Sequence, residues 1–237
     1  MTAASFFGCL LVAYGPAVGA FAVTAYQSGE LAILMICSAF FWLLSILIAS
    51  GLWFAGSEST KRNFFFNLGI SVALQEAARV LFWYIIRIPE IGLTKISGVP
   101  QSLNRLKFSY VSGLGFGFMS GLVMFVTQLA NSSDPGIIVC QSCPSHDMFF
   151  ISALTTCLFI FLHTTWGILV FDSLWRKTYW QILYAVASHF GASYSTTLVP
   201  SNVQGGCWYA LLTLLLVLVL NLGLCFVTVV AREKKQA

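Results

Sequence analysis

The sequence has 237 residues, of which 58% are hydrophobic and only 8% charged, and its mean hydropathy is +0.86. A soluble domain typically carries about 25% charged residues, so this chain has too few charges to cover a water-exposed surface. The net charge of +4 is modest, and no basic cluster is interleaved with aromatic residues, which excludes a nucleic-acid groove. The 21 Phe and 7 Trp residues exclude a disordered chain.

Long apolar blocks divide the chain into membrane-length segments. A helix needs about 20 apolar residues to cross the hydrocarbon core, and seven segments meet that length, at approximately 3–25, 31–55, 64–86, 109–130, 148–171, 179–199 and 207–231. The sequence therefore predicts an all-α membrane protein with one domain, a seven-helix bundle. The first segment has no preceding positive charge and contains Gly15-Pro16, which favours a retained span over a signal peptide.

The connection between the third and fourth predicted spans is the longest, at about residues 87–108. It contains four helix-breaking residues, Pro89, Gly92, Gly98 and Pro100, and we expect them to prevent a regular helix there. We find no internal repeat and no second domain.

The distribution of basic residues predicts the orientation. Cytoplasmic loops hold the excess of Lys and Arg. With the N-terminus outside, the inside segments carry nine basic residues, whereas the outside segments carry only Lys61 and Arg62. The prediction is an extracellular or lumenal N-terminus and a cytoplasmic C-terminus.

Two features of the fourth loop follow from that orientation. Asn131-Ser132-Ser133 is an acceptor for glycosylation on the outside, although its closeness to the membrane argues against efficient transfer. Cys140 and Cys143 are interpreted as two loop thiols or as a local disulfide. A zinc site is rejected because His146 is the only further ligand nearby.

The third predicted span carries ionisable residues near its middle, where a charge costs about 2.5–3.5 kcal/mol. Glu76 and Arg79 are three residues apart and share a helix face, and Gln75 is four residues from Arg79. We favour an internal ion pair and hydrogen-bond network, and the alternative is a polar patch that meets another subunit or a water-filled cavity.

Two histidines lie in the fifth and sixth predicted spans. Counted from the short loop between these spans, His163 and His189 are both about 10–17 Å deep at 1.5 Å per residue. We expect them to face each other and to form interhelical hydrogen bonds. Metal binding by two His residues has little support, and so has a proton relay.

The fourth predicted span contains two consecutive glycine pairs, Gly113-x-x-x-Gly117-x-x-x-Gly121. Glycines at this spacing form one stripe of a helix and allow a second helix to approach closely. The spacing leaves open whether that second helix belongs to this chain or to another protein.

Signatures of catalysis and of receptors are missing from the sequence. It contains no His-Glu-x-x-His zinc motif and no membrane aspartate pair, and Ser120 and His189 are a poor basis for a hydrolase. The alternative function that we keep is a small transporter or channel with a polar path through four residues: Glu76, Arg79, His163 and His189.

Many of these residues also carry a family resemblance. The sequence resembles the anterior pharynx-defective (Aph) family, the seven-span scaffold subunit of the γ-secretase complex. The matching blocks run in family order: Phe6-Phe7-Gly8-Cys9, Gly15-Pro16-Ala17, Ala39-Phe40-Phe41-Trp42-Leu43, Leu74-Gln75-Glu76 with Arg79, Tyr110 to Gly117, Ser120-Gly121, Leu162-His163, Trp166-Gly167, Phe171-Asp172, Tyr179-Trp180 and Ser188-His189. The Tyr-Val-Ser-Gly block with its glycines is the most specific of them.

The resemblance implies a non-catalytic subunit without cofactors. Its implied partners are nicastrin, presenilin and the presenilin enhancer subunit, in a protease that cleaves type I membrane proteins such as Notch and amyloid precursor protein. The implied locations are the endoplasmic reticulum, Golgi and plasma membrane. The resemblance also implies that Gly113, Gly117 and Gly121 support assembly, and that His163 and His189 support association with presenilin.

Overall fold

The computed structural model describes residues 3–97, 105–131 and 139–230. Within these ranges the chain forms eight α-helices and two short strands. In chain order they are α1 (Ala3–Thr24), α2 (Gly29–Ala55), α3 (Glu58–Arg62), α4 (Phe64–Ser97), α5 (Arg105–Asn131), β1 (Val139–Cys140), β2 (Cys143–Asp147), α6 (Met148–Arg176), α7 (Trp180–Ser195) and α8 (Gly206–Cys225). A 3₁₀ turn, Thr196–Leu198, follows α7, and a π-helical turn, Phe226–Val230, follows α8.

Six of the described helices, α1, α2, α4, α5, α6 and α8, are long and apolar enough to cross a membrane. Helix α7 is the exception because it has only 16 residues. The chain is therefore a helical protein with several membrane-length segments, and a seventh crossing at 179–199 stays a prediction.

The expectation that Pro89 and Gly92 prevent a regular helix is wrong, and Gly98 and Pro100 lie outside the described residues. Helix α4 does not stop near residue 86 but continues through Pro89 and Gly92 to Ser97, and α1 runs through Pro16 without interruption. A proline removes one backbone hydrogen bond, and a membrane helix tolerates that loss when its other backbone groups remain bonded within the helix. Composition alone therefore overstated the length of the third loop.

Polar residues next to the apolar segments fix several helix starts. The Ser28 hydroxyl caps α2 by accepting from the Leu31 N–H, and the Asp147 carboxylate caps α6 by accepting from the Phe149 N–H at 2.9 Å. Gly205 precedes α8 in a left-handed conformation, with φ of 75°, which glycine adopts without steric cost.

Helix α6 is the centre of the bundle. In its apolar window 78% of the residues are buried, against 17% for α1 and for α2. Helix α5 packs between α2 and α6, α4 packs against α2 and α7, and α8 packs against α6 and α7. The outer helices turn large apolar side chains away from the bundle, as Leu11, Ile36 and Leu212 illustrate.

A small β-hairpin is the one departure from an all-α fold in the described ranges. Strands β1 and β2 are antiparallel, and Cys140 pairs with Cys143 in their register. The hairpin lies against the start of α8 because the Gly205 N–H donates to the Ser142 carbonyl oxygen at 2.8 Å.

Neither interpretation of Cys140 and Cys143, as two loop thiols or as a local disulfide, is correct. Cys143 is bonded to Cys207, 64 residues later, with their Cα atoms 6.1 Å apart, and Cys140 is a free thiol. The sequence hides this pairing because it depends on how the hairpin meets α8. Asn131 is the last residue of α5, and the rest of its glycosylation motif lies outside the described residues.

Candidate functional site

The centre of the bundle contains an ion pair between Glu76 and Arg79 of α4. The Arg79 Nε atom donates to Glu76 Oε2 at 3.2 Å, and Arg79 Nη2 donates to Glu76 Oε1 at 3.3 Å. The two residues are only 5% and 1% exposed. Their spacing of three residues on one helix places both side chains on the same face, so the two opposite charges neutralise each other where water is excluded.

Both buried histidines, His163 and His189, bind this ion pair. Arg79 Nη2 lies 2.9 Å from His163 Nδ1, and His189 Nδ1 lies 2.7 Å from Glu76 Oε1. Because a guanidinium group has donors only, His163 accepts through Nδ1 and is the neutral tautomer with its proton on Nε2. The His189 ring donates its Nδ1 proton to the carboxylate. We call these four residues, Glu76, Arg79, His163 and His189, the polar network.

The polar network links three helices that are distant in sequence. Glu76 and Arg79 belong to α4, His163 to α6 and His189 to α7, and the two imidazole rings are 5.0 Å apart. The expectation that the histidines face each other across one interface agrees with this position. Neither Nδ1 atom is free to bind a metal ion, because each is in a hydrogen bond within the network.

Aromatic residues enclose the polar network. Trp166 stacks on His189 with ring centroids 4.2 Å apart, and its own Nε1 donates to Ser188 Oγ at 2.9 Å. The Arg79 guanidinium lies over the Phe116 ring at 4.8 Å, which adds a cation–π attraction in a desolvated place. Trp166 and Phe116 were not among the expected site residues, although both occur in blocks of the family resemblance.

Gln75 lies beside the network but binds elsewhere. Its side-chain oxygen accepts from Trp42 Nε1 at 2.9 Å, which attaches α4 to α2. The expected contact between Gln75 and Arg79 is not among the hydrogen bonds of the described residues. Gln75 therefore satisfies a buried indole N–H in place of joining the ion pair.

The glycine stripe of α5 faces α6 of the same chain. A Cβ atom at position 113 would lie 2.6 Å from the Thr164 carbonyl oxygen, and one at position 117 would lie 2.9 Å from Ile160 Cα. At position 121 the nearest atom is Ile160 Cδ1, at 2.8 Å. The first two positions face backbone atoms, which cannot move aside, so only glycine allows α5 and α6 to approach this closely.

Two further glycines complete this packing, and neither was an expected site residue. Gly167 is the only glycine of α6, and a Cβ atom there would lie 2.6 Å from Gly113 Cα, so the two glycines face each other directly. Gly115 lies on the opposite side of α5, where a Cβ atom would collide with Ser38 and Met35 of α2. Helix α5 is thus closely packed on two sides.

The glycine stripe and the polar network meet at one atom, the carbonyl oxygen of His163. Arg79 Nη1 donates to this oxygen at 3.0 Å, and a Cβ atom at position 113 would lie 3.0 Å from it. A side chain at position 113 would therefore crowd the acceptor that Arg79 uses. Packing between α5 and α6 and neutralisation of the buried charge depend on the same backbone position.

Hydrogen bonds attach two outer helices to this centre. The Tyr14 hydroxyl of α1 donates to the Gly121 carbonyl oxygen of α5 at 3.0 Å. Asn221 of α8 donates through Nδ2 to Thr165 Oγ1 of α6 at 3.0 Å. Single polar residues within apolar spans were the sequence signal for both contacts.

The arrangement gives little support to the two rival functions. Ser120 Oγ donates to Met124 Sδ at 3.7 Å, whereas His189 Nδ1 binds Glu76, so serine and histidine do not form a hydrolytic pair. The members of the polar network are at most 5% exposed and bind one another, whereas a transport path needs polar groups that exchange partners with a solute. The chemistry of the site is mutual neutralisation.

We expect Gly117→Ala to destabilise the bundle by about 1–3 kcal/mol, because the added methyl group is forced against the Ile160 backbone. The measurement is the free energy of unfolding in mixed micelles titrated with denaturing detergent. Gly51→Ala is the matched control, since a Cβ atom at position 51 meets no atom within 4 Å. Equal free energies for the two variants would contradict the close packing.

We expect Glu76→Gln to cost about 3–5 kcal/mol in the same measurement, because it leaves the Arg79 charge buried without a counter-charge. The control is Glu58→Gln, which removes a carboxylate that is 78% exposed and pairs with Lys61, a contact worth about 0–1 kcal/mol. Removing both buried charges in Glu76→Gln/Arg79→Met should restore part of the loss. A double variant less stable than Glu76→Gln alone would oppose this account.

Comparison with known proteins identifies the family of the chain. The Aph-1 protein family matches residues 4–232 of the chain. The chain is 37% identical over 216 residues to "Gamma-secretase subunit Aph-1b" of Danio rerio, which covers 86% of this chain and 82% of that protein. It is 34% identical over 208 residues to "Gamma-secretase subunit APH-1B" of Mus musculus, with coverages of 84% and 80%. Identity to "Gamma-secretase subunit Aph-1" of Drosophila melanogaster is 37% over 200 residues, with coverages of 84% and 82%. This chain belongs to the Aph-1 family.

Proposed function

We propose that this chain is a non-catalytic scaffold subunit of a γ-secretase complex. Its partners are presenilin, nicastrin and the presenilin enhancer subunit, and the assembled protease cleaves type I membrane proteins such as Notch and amyloid precursor protein. The complex acts in the endoplasmic reticulum, Golgi and plasma membrane. The names of the relatives, which are γ-secretase subunits, support the assignment to this complex.

The observation that carries the non-catalytic part of the proposal is the closure of the polar network. Glu76 is bound by both Arg79 and His189, and Arg79 is also bound by His163. A catalytic acid or base needs a proton-transfer position open to substrate, and these four side chains are enclosed by the helices that they join. Their arrangement suits a rigid bundle.

A rigid bundle with apolar outer faces is suited to hold partner helices. Large apolar side chains point outward from α2 and α8, among them Phe40, Leu47, Leu216 and Val219. In lipid, helices associate by close packing more than by hydrophobicity, so a partner needs a surface of fixed shape. The glycine stripe, Gly113, Gly117 and Gly121, fixes that shape from inside by setting the position of α5 against α6.

We test the scaffold role in cells that lack their own Aph-1 subunit. Tagged wild-type chain is expected to retain nicastrin, presenilin and the enhancer subunit in mild detergent, and to restore cleavage of a Notch reporter. Cleavage should disappear when presenilin lacks its catalytic aspartates. Gly117→Leu should lose most of the co-purified partners, whereas Gly191→Leu should keep them, since position 191 is open and belongs to neither α2 nor α8.

Two results would contradict the scaffold role. One is a tagged wild-type chain that is stable in these cells but purifies without the three partners. The other is reporter cleavage that continues with the inactive presenilin, because a catalytic subunit would then have to be sought in this chain.

We also propose seven crossings, with the N-terminus extracellular or lumenal and the C-terminus cytoplasmic. The disulfide supports this topology independently of the charge distribution. Cys143 lies just before α6 and Cys207 lies at the start of α8. The disulfide between them therefore places the start of α6 and the segment that follows α7 on the same side of the bundle. If α6 crosses the membrane, α7 has to return across it. Disulfides persist in oxidising compartments, which supports the outside for these two cysteines.

Labelling with a membrane-impermeant maleimide tests this topology. Ser59→Cys, in the second loop, is expected to react on intact cells, whereas Tyr179→Cys, in the fifth loop, should react only after permeabilisation. Both positions are exposed, and the unsubstituted chain gives the background from native thiols. Reaction of Tyr179→Cys on intact cells would mean that the orientation is reversed or that α7 does not cross.

A further inference from the structure

Three sulfur atoms come together where the β-hairpin meets α8. The Sγ atoms of Cys140, Cys143 and Cys207 lie within 4.8 Å of one another. Two of them form the disulfide, and the third, Cys140, is a free thiol. The scaffold role makes no use of this cluster, so the third sulfur needs an explanation of its own.

Local hydrogen bonds hold the cluster in place. The Ser142 hydroxyl donates to the Val199 carbonyl oxygen at 2.8 Å, and the Gly205 N–H donates to the Ser142 carbonyl oxygen at 2.8 Å. The hairpin is thus bound both to the end of the α7 segment and to the start of α8. The Cys140 thiol faces the same side as Ser142, because its Sγ donates to the Val199 carbonyl oxygen at 3.7 Å.

The cluster is closed to solvent. Cys140 and Cys207 are 0% exposed, and Cys143 is 5% exposed. Thiol–disulfide exchange requires a thiolate to reach a disulfide sulfur. Because bulk thiols cannot enter, the Cys140 sulfur is the one placed to react with this disulfide.

We propose that these three cysteines form an intramolecular thiol–disulfide exchange site. The Cys140 thiolate attacks Cys207 Sγ and forms a Cys140–Cys207 bond, while the bond between Cys143 and Cys207 breaks. The electron pair of the broken bond leaves on Cys143 Sγ, which takes up the proton that Cys140 has lost. One disulfide and one thiol are present before and after the step, so it needs no oxidant or reductant.

Attack by Cys140 can in principle leave a Cys140–Cys207 or a Cys140–Cys143 disulfide. Chain entropy favours the Cys140–Cys207 bond, because it closes a much longer loop than a bond within the hairpin. The stabilisation from a cross-link grows with the logarithm of the loop that it closes. The existing bond spans 64 residues, and Cys140 is only three positions further from Cys207. The two forms therefore restrict the chain almost equally, and in both of them the hairpin stays tied to α8.

The exchange moves the cross-link from the start of β2 to the end of β1. Because the Sγ atoms of Cys140 and Cys207 already lie within 4.8 Å of each other and a disulfide bond is about 2 Å long, the two sulfurs have to approach by roughly 3 Å at most. The chain would thus have two covalent isomers that differ at this end of the bundle.

Disulfide mapping of the full-length chain tests the exchange. The protein is purified in detergent without reductant and incubated at about pH 8.5, because alkaline pH raises the thiolate fraction that exchange requires. It is then quenched in acid, alkylated, digested and analysed by mass spectrometry. We expect a Cys140-to-Cys207 linked peptide to grow at the expense of the Cys143-to-Cys207 peptide, and alkylation to move from Cys140 to Cys143.

Matched variants identify the attacking sulfur. Cys140→Ser should show the Cys143-to-Cys207 peptide alone, whereas Cys157→Ser, which removes a free cysteine of α6, should exchange like the wild type. A wild-type chain that keeps only the Cys143-to-Cys207 peptide throughout the incubation overturns the proposal. Zinc that co-purifies stoichiometrically with the chain prepared without reductant, with no disulfide present and all three thiols protected from alkylation, also overturns it, because the cluster is then a metal site.

Discussion

The energetic constraint on this protein is a pair of opposite charges in a place without water. Glu76 and Arg79 lie on one face of α4 and neutralise each other, yet each keeps hydrogen-bonding capacity that its partner alone does not fill. A buried ion pair offsets its desolvation only when those remaining positions are occupied. His189 and His163 occupy them, and for that reason α6 and α7 have to lie where they do.

Close backbone approach follows from the same constraint. Arg79 reaches the His163 carbonyl oxygen of α6, and the Gly113 backbone lies against that same stretch of α6. A larger residue at position 113 would push α5 away from α6 and crowd the acceptor of the guanidinium. The glycines are therefore part of the electrostatic arrangement as well as of the packing, because they keep α5, with Phe116 facing Arg79, close to the charge.

The sequence predicted the parts of this centre that depend on spacing along one helix. The interval of three residues between Glu76 and Arg79 was enough to expect their ion pair, and the depth of the two histidines was enough to place them near each other. It did not reveal that Glu76 binds His189, since that contact joins residues 113 positions apart. The disulfide of Cys143 was missed for the same reason, and the α4 extension was missed because Pro89 and Gly92 were given too much weight as helix breakers.

The interior position of these residues limits how they can influence a partner. His163 and His189 are each 1% exposed, and a Cβ atom on the glycine stripe would meet α6 of this chain. A partner bound to the outer faces of the bundle has no direct access to them. Any effect of these residues on assembly must then pass through the positions of α5, α6 and α7. The outer apolar side chains would supply the contact area, and the buried network would keep that area in one shape.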